Sequence, residues 1–232
     1  MNLTPDSIVF WEYGFITINA TIVFSWVVIL VLLGLAHLAT RKLTSGPNPT
    51  RWQLFLEMIV TSIRSQIRDM TQRSPDQFLP FLGTLFLFIS LSNLLDLVPY
   101  FEPPTGSLSV TAALAICVFV AVPVYGIREK GVGGYLKSYI QPSPFMLPFN
   151  IIGEISRTFS LAVRLFGNIM SGTMIVGVLI SIAPFFVPIV MQALGLLIGQ
   201  IQAYIFAALA TVYIASGMRS QKRNDKKAPQ QE

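Results

Sequence analysis

Residues 149–183 read FNIIGEISRTFSLAVRLFGNIMSGTMIVGVLISIA. No proline interrupts the run, and apolar residues dominate it. As one helix of roughly 35 residues it would be about 50 Å long at 1.5 Å per residue. The hydrocarbon core of a bilayer is only about 30 Å thick. A helix of this length therefore tilts steeply or lies partly along the membrane plane. Two arginines, Arg157 and Arg164, sit inside it. An arginine at mid-membrane costs about 2.5–3.5 kcal/mol on insertion scales, so it faces a partner or a water-filled path. Seven residues separate the two, which places them on one helix face about 10 Å apart. Glu154, Ser160, Asn168 and Ser171 extend this face into a polar stripe, and such a stripe does not meet lipid.

The two arginines read differently. Glu154 stands three residues before Arg157, so Arg157 serves either as helix–helix glue, a common role for interhelical polar contacts, or as part of a polar path. Arg164 has no such neighbour. Glu154 is ten positions away, and no acidic residue follows until Asp225. Its counter-charge is expected from elsewhere, in particular from another chain.

The rest of the chain falls into similar apolar runs. The expected spans are residues 15–40, 78–98, 107–127, 149–183 and 189–217. Arg41-Lys42 and Gly46-Pro47-Asn48-Pro49 close the first. Between the first two spans, Leu54, Met58, Ile59, Ile63, Ile67 and Met70 recur at helical spacing among Arg51, Glu57, Arg64 and Arg68. This predicts an amphipathic helix over about 50–73 at the membrane surface; the alternative is a soluble helix packed on another subunit. Asp96, Pro99, Glu102, Pro103, Pro104 and Gly106 make an acidic turn, and residues 128–148 a polar, glycine-containing loop. Pro184 and Pro188 separate the last two long helices, which form a hairpin. The fold class is all-α membrane protein, a single integral domain of five crossings plus one interfacial helix, with a basic tail over 218–232.

Charge supports this topology. Of 232 residues, 53% are hydrophobic and 12% charged, against roughly 25% charged in a soluble domain. Fourteen of the 16 Lys and Arg fall on one side of the five-crossing arrangement: six between the first two spans, three in the next loop on that side and five in the tail. The other side carries Asp6, Glu12, Asp96 and Glu102 with no basic residue. The positive-inside rule then puts the N-terminus outside and the C-terminus in the cytoplasm. The formal charge of +5 is thus a topology signal and gives no support to nucleic-acid binding. Asp6 and Glu12 occupy the place where a signal peptide needs positive charge, so no cleaved leader is expected. A single cysteine, Cys117, and a single histidine, His37, leave no disulfide framework and no metal cluster. Asn19-Ala20-Thr21 fits a glycosylation acceptor but falls within a span. Gly131-x-Gly133-Gly134 lacks the lysine and strand context of a phosphate cradle, so the chain is not expected to hydrolyse nucleotides.

On the last helix, Gln192, Gly195, Gly199 and Gln202 fall within about a quarter-turn arc. Gly195 and Gly199 form a small-xxx-small pair suited to close helix approach, here expected toward the Arg164 helix. Gln202 is then available to orient the guanidinium.

Residues 160–168, SLAVRLFGN, resemble the motif around the essential arginine of subunit a in F-type ATP synthases. Residues 202–206 (QAYIF), 93–99 (NLLDLVP) and 107–111 (SLSVT) are similar to further family segments, in the family's order, from about Trp52 to Met218. The resemblance implies an ion-translocating stator subunit with two offset half-channels beside a rotating ring of c subunits. Ions load and unload the ring carboxylates, coupling ion flow to ATP synthesis or hydrolysis. Arg164 is implied as the essential arginine between the two paths, Asn168 as the nearby polar position and Gln202 as the glutamine of the final helix. Arg157 occupies a position that is often basic. Ring c subunits, peripheral-stalk b subunits and the bilayer are the implied partners, with no bound cofactor. A bacterial inner membrane is the implied location, with a thylakoid membrane as the alternative.

Two departures bear on the ion. Thr173 stands where many members have a glutamate, nine residues after the arginine. Gly195 stands where some have a histidine, seven before the glutamine. Either Glu154, Asp96, Gln192, Gln200 and water line a proton path, with Ser160, Ser171 and Thr173 as further candidates, or the ion is sodium, which needs a hydrated path and no titrating relay. Two other classes compete. One is a transporter or channel acting alone, against which no internal repeat is apparent. The other is a membrane anchor in which Arg164 merely pairs with a neighbour.

Overall fold

A computed structural model of the chain describes residues 9–13, 16–40, 51–71, 74–98, 101–140, 145–182 and 187–219. The expected breaks at Arg41-Lys42, Gly46–Pro49, Pro99 and Pro184, the acidic residue Asp6, the basic residue Arg73 and the basic tail beyond Arg219 lie outside these residues. The described chain is helical apart from one short hairpin. Strand β1 (Val9–Tyr13) pairs antiparallel with β2 (Ile16–Asn19). Helices α1 (Ala20–Thr40), α2 (Arg51–Thr71), α3 (Leu79–Leu95), α4 (Leu108–Ile140), α5 (Met146–Ile182) and α6 (Val187–Arg219) follow, with short 3-10 turns at Pro75–Gln77 and Pro104–Gly106.

The first helix starts at Ala20, not near residue 15. Ile16, Thr17 and Ile18 enter the hairpin, in keeping with the strand preference of β-branched residues. Four helices are long and apolar enough to cross a membrane, over Ala20–Leu38, Leu108–Lys137, Leu147–Ser181 and Ile189–Met218. The remaining expected span, α3, is apolar but has only 17 residues, about 25 Å of helix. It stops because Asp96 and the turn after it end the helix.

Helix α2 is amphipathic as its spacing predicts. Ile67 is buried and Ile63 partly buried, while Arg64 and Arg68 are exposed. Arg64 pairs with Asp76 across the following turn; both are solvent-facing, so the pair adds little stability.

The polar segment expected as a loop from residue 128 is helical through Ile140. Its one break is Gly131, at φ 75° and ψ 163°, a conformation that glycine adopts without a Cβ clash. Beyond that break the chain folds back on α4. Tyr135 covers Gly126 so closely that an added Cβ there would lie 2.5 Å from the ring. Lys130 Nζ donates to the carbonyl of Gly217 at 2.8 Å, tying α4 to the last turns of α6, where a cation also suits the helix dipole.

Helix α6 is the centre of the bundle and touches α2, α3, α4 and α5. Its Ala203, Phe206, Ala210 and Ile214 are buried at spacings of three and four, one stripe of a helix. They meet Leu82, Leu85 and Ile89 of α3, Val118 and Val122 of α4, and Leu161 and Leu165 of α5 in one core. Most of α5 lies outside that core: Ile152, Ile155, Phe159 and Val163 are exposed. An apolar surface of this extent marks contact with lipid or with another membrane chain.

Candidate functional site

Helix α5 carries the site because one edge of it is buried and the other is not. Leu161, Ala162 and Leu165 anchor it, and Arg164, between two of these anchors, is exposed on the bundle's outer surface. Among the described residues no carboxylate or hydrogen-bond acceptor pairs with Arg164. Ser160 lies exposed one turn before it, and Asn168 half-buried one turn after it. Arg157 is held differently. Its guanidinium lies 5.8 Å from the ring centroid of Tyr213 on α6, a cation–π contact of about 0.5–2 kcal/mol. This contact, rather than a salt bridge to Glu154, is its described interaction. Glu154 accepts at its backbone carbonyl from the Thr158 hydroxyl at 3.0 Å.

Beyond Arg164, α3, α5 and α6 enclose a cavity of about 250 Å³. Asn168, Ser171 and Thr173 of α5 line it, with Gln192, Gly195 and Gly199 of α6, Asn93 of α3, and Asp96 and Pro103 of the connection that follows α3. Five candidates from across the sequence therefore share one hollow: Asp96, Asn168, Ser171, Thr173 and Gln192. Asp96 is the one titratable group among the described residues that line it. The hollow exists partly because Gly195 has no side chain; a Cβ there would meet open space.

Neither Arg164 nor Gln202 lines this cavity, but each stands one turn from a residue that does. Asn168 lines it one turn after Arg164, and Gly199 lines it one turn before Gln202 on the antiparallel neighbour. Gln202 is 6% exposed, and its amide Nε2 has no hydrogen-bond partner among the described residues. An orphaned buried donor costs about 1–3 kcal/mol, so its retention fits a group waiting for a partner. Gln200 and Glu154 do not line the cavity. Gln200 instead bonds Ser90 of α3 through both ends of its amide.

The close approach expected between Gly195–Gly199 and the Arg164 helix is not formed. Gly199 packs against Asn93 of α3, 3.1 Å from where its Cβ would stand, and Gly195 contacts nothing closely. The polar partners on α3, Ser90 and Asn93, were not among the candidate residues. Their three-residue spacing on an otherwise apolar helix is the signal that marks them as one polar face.

The described residues contain no group of three or more His, Cys, Asp or Glu able to hold a metal ion. A protein-family model described as ATP synthase A chain matches residues 22–215. The chain is 60% identical over 223 residues to ATP synthase subunit a 1 of Crocosphaera subtropica, covering 96% of this chain and 97% of that one. It is 60% identical over 222 residues to ATP synthase subunit a of Albidiferax ferrireducens, covering 96% of each. It is 56% identical over 224 residues to ATP synthase subunit a 2 of Acaryochloris marina, covering 97% and 96%.

Proposed function

The chain belongs to the ATP synthase subunit a family, and we propose that it is the stator through which ions reach and leave a rotating ring of c subunits. One observation carries this reading: Arg164 is exposed on the bundle's outer face with no described partner, one turn before Asn168 of the polar cavity. A fixed charge with no counter-ion among the described residues suits a carboxylate delivered by another chain.

The physical sequence follows from that placement. A ring carboxylate facing lipid must be neutral, because a bare charge there is too costly. Opposite Arg164 it ionises, since a nearby positive charge favours the charged form. Desolvation partly offsets the ion pair, so an arriving cation can take the carboxylate over. Arginine keeps its charge throughout the working pH range and relays no proton itself. Its charge therefore also opposes direct passage of cations between the two sides. The driving force is about 2.3 kcal/mol per charge per 100 mV. Asn168 and Gln202 flank the arginine level. The cavity lined by Asp96, Asn168, Ser171, Thr173 and Gln192 is the access path from the outer side, with the N-terminus outside and the C-terminus cytoplasmic. Peripheral-stalk b subunits hold the chain against the ring. Nucleotide chemistry belongs to other subunits.

The ion is a proton or sodium. With Thr173 and Gly195 in place, Asp96 is the one titratable group among the described residues lining the outer cavity, which supports passage through water over a chain of titrating side chains. ATP-driven uptake by vesicles containing the assembled complex tests both parts. Lumen acidification that ignores sodium identifies protons; uptake of labelled sodium at alkaline pH, with sodium-stimulated hydrolysis, identifies sodium. Uptake of neither ion would refute the stator reading.

A further inference from the structure

A second cavity, about 330 Å³, lies beneath α2. Its walls are largely apolar, with Met58, Ile63, Leu82 and Phe86 among them, and Ser90 of α3 and Tyr204 of α6 also face it. The outer cavity is lined by Asn93 and Gly199. One turn of α3 thus presents Ser90 to the cavity under α2 and Asn93 to the outer cavity. The α3–α6 contact at this turn therefore borders both spaces.

That contact is polar. Asn93, 5% exposed, donates from Nδ2 to the Gly199 carbonyl at 2.7 Å. Its Oδ1 accepts from the Thr105 hydroxyl at 3.1 Å. One residue along α6, the Gln200 Oε1 accepts from the Ser90 hydroxyl, and its Nε2 donates to the Ser90 carbonyl at 2.9 Å. Both ends of both amides are engaged across this turn, which fixes the side chains in place and leaves each amide only one donor and one lone pair for water. Apolar contacts alone would fasten this joint weakly, because lipid tails compete for them equally.

We propose that this four-bond clasp is a second ion barrier, distinct from the charge of Arg164. It separates the outer cavity from the space under α2 and so denies ions a route to the inner membrane surface that bypasses the ring. The proposal rests on the outer cavity being the access path. Asn93, Gln200 and Ser90 are positioning residues here; they hold α3 on α6 and need not touch the ion.

The test uses the whole complex in vesicles, with the ring carboxylates blocked by dicyclohexylcarbodiimide so that rotation is arrested. A potassium diffusion potential is imposed, and passive proton and sodium fluxes are read. With Asn93→Leu, and with Ser90→Ala as the smaller change should the first fail to assemble, flux through the arrested complex should rise about tenfold, the factor that one lost buried hydrogen bond carries. Assembled variants as tight as the unaltered complex overturn the proposal. Failure of the clasp is distinguishable from failure of the stator reading: in the first case pumping still requires Arg164 while passive flux does not change, and in the second pumping survives without Arg164.

Discussion

Arg164 sits between Leu161 and Leu165, both buried to 2% or less, yet its own side chain is exposed. The neighbours fix the backbone, so the guanidinium is presented from a rigid edge of α5. Substitution by lysine keeps a cation but loses the planar fork and the permanently protonated state. Charge-assisted hydrogen bonds to a carboxylate contribute about 1.5–3 kcal/mol, so Arg164→Lys should lower ATP-driven ion uptake about tenfold or more; uptake by assembled complexes in vesicles measures it. The exposure of Arg164 agrees with the sequence, where a charge in an apolar run without an acidic neighbour needs an external partner; Asn168 belongs to the polar stripe of the same helix. The spacing of Ser90 and Asn93 marks a polar face on α3, but the pairing of Asn93 with Gly199, 106 positions away, is not revealed by any local spacing.

At the scale of elements, α5 and α6 appear close to where their apolar runs predict, and α2 follows its amphipathic spacing. Two boundaries differ, each for a physical reason. Residues 16–19 leave α1 for a hairpin, which period alone does not distinguish from a helix start. Residues 132–140 are helical because Tyr135 packs back on Gly126, a contact that glycine content in a polar segment conceals. The small-xxx-small pair on α6 was read toward α5, yet Gly199 serves α3. Two antiparallel neighbours both suited the same pattern. The packing makes a further prediction at this scale. Phe206 is fully buried at the centre of α6. In soluble cores Phe→Ala costs about 3–5 kcal/mol. Lipid solvates the ring about as well as the core does, so only the packing part is lost and Phe206→Ala should cost about 2 kcal/mol. Denaturant titration of the purified membrane sector reads this, and a change near zero would place Phe206 outside the core contacts.

The whole molecule is asymmetric. One flank is consolidated by α3, α4 and α6, and the other leaves α5 exposing apolar side chains around a lone arginine. Such a surface is suited to a partner that moves, since a permanent partner of this charge could be supplied within the chain. A self-sufficient transporter would keep its counter-charge within its own helices, and a passive anchor would have no use for a polar cavity one turn from the arginine. Arg164→Ala tests this most directly. The assembled complex, verified by its subunit composition, is placed in vesicles and ATP-driven ion uptake is followed beside ATP hydrolysis. The account predicts that coupled uptake is lost while the complex remains intact. Uptake at the unaltered rate would contradict it.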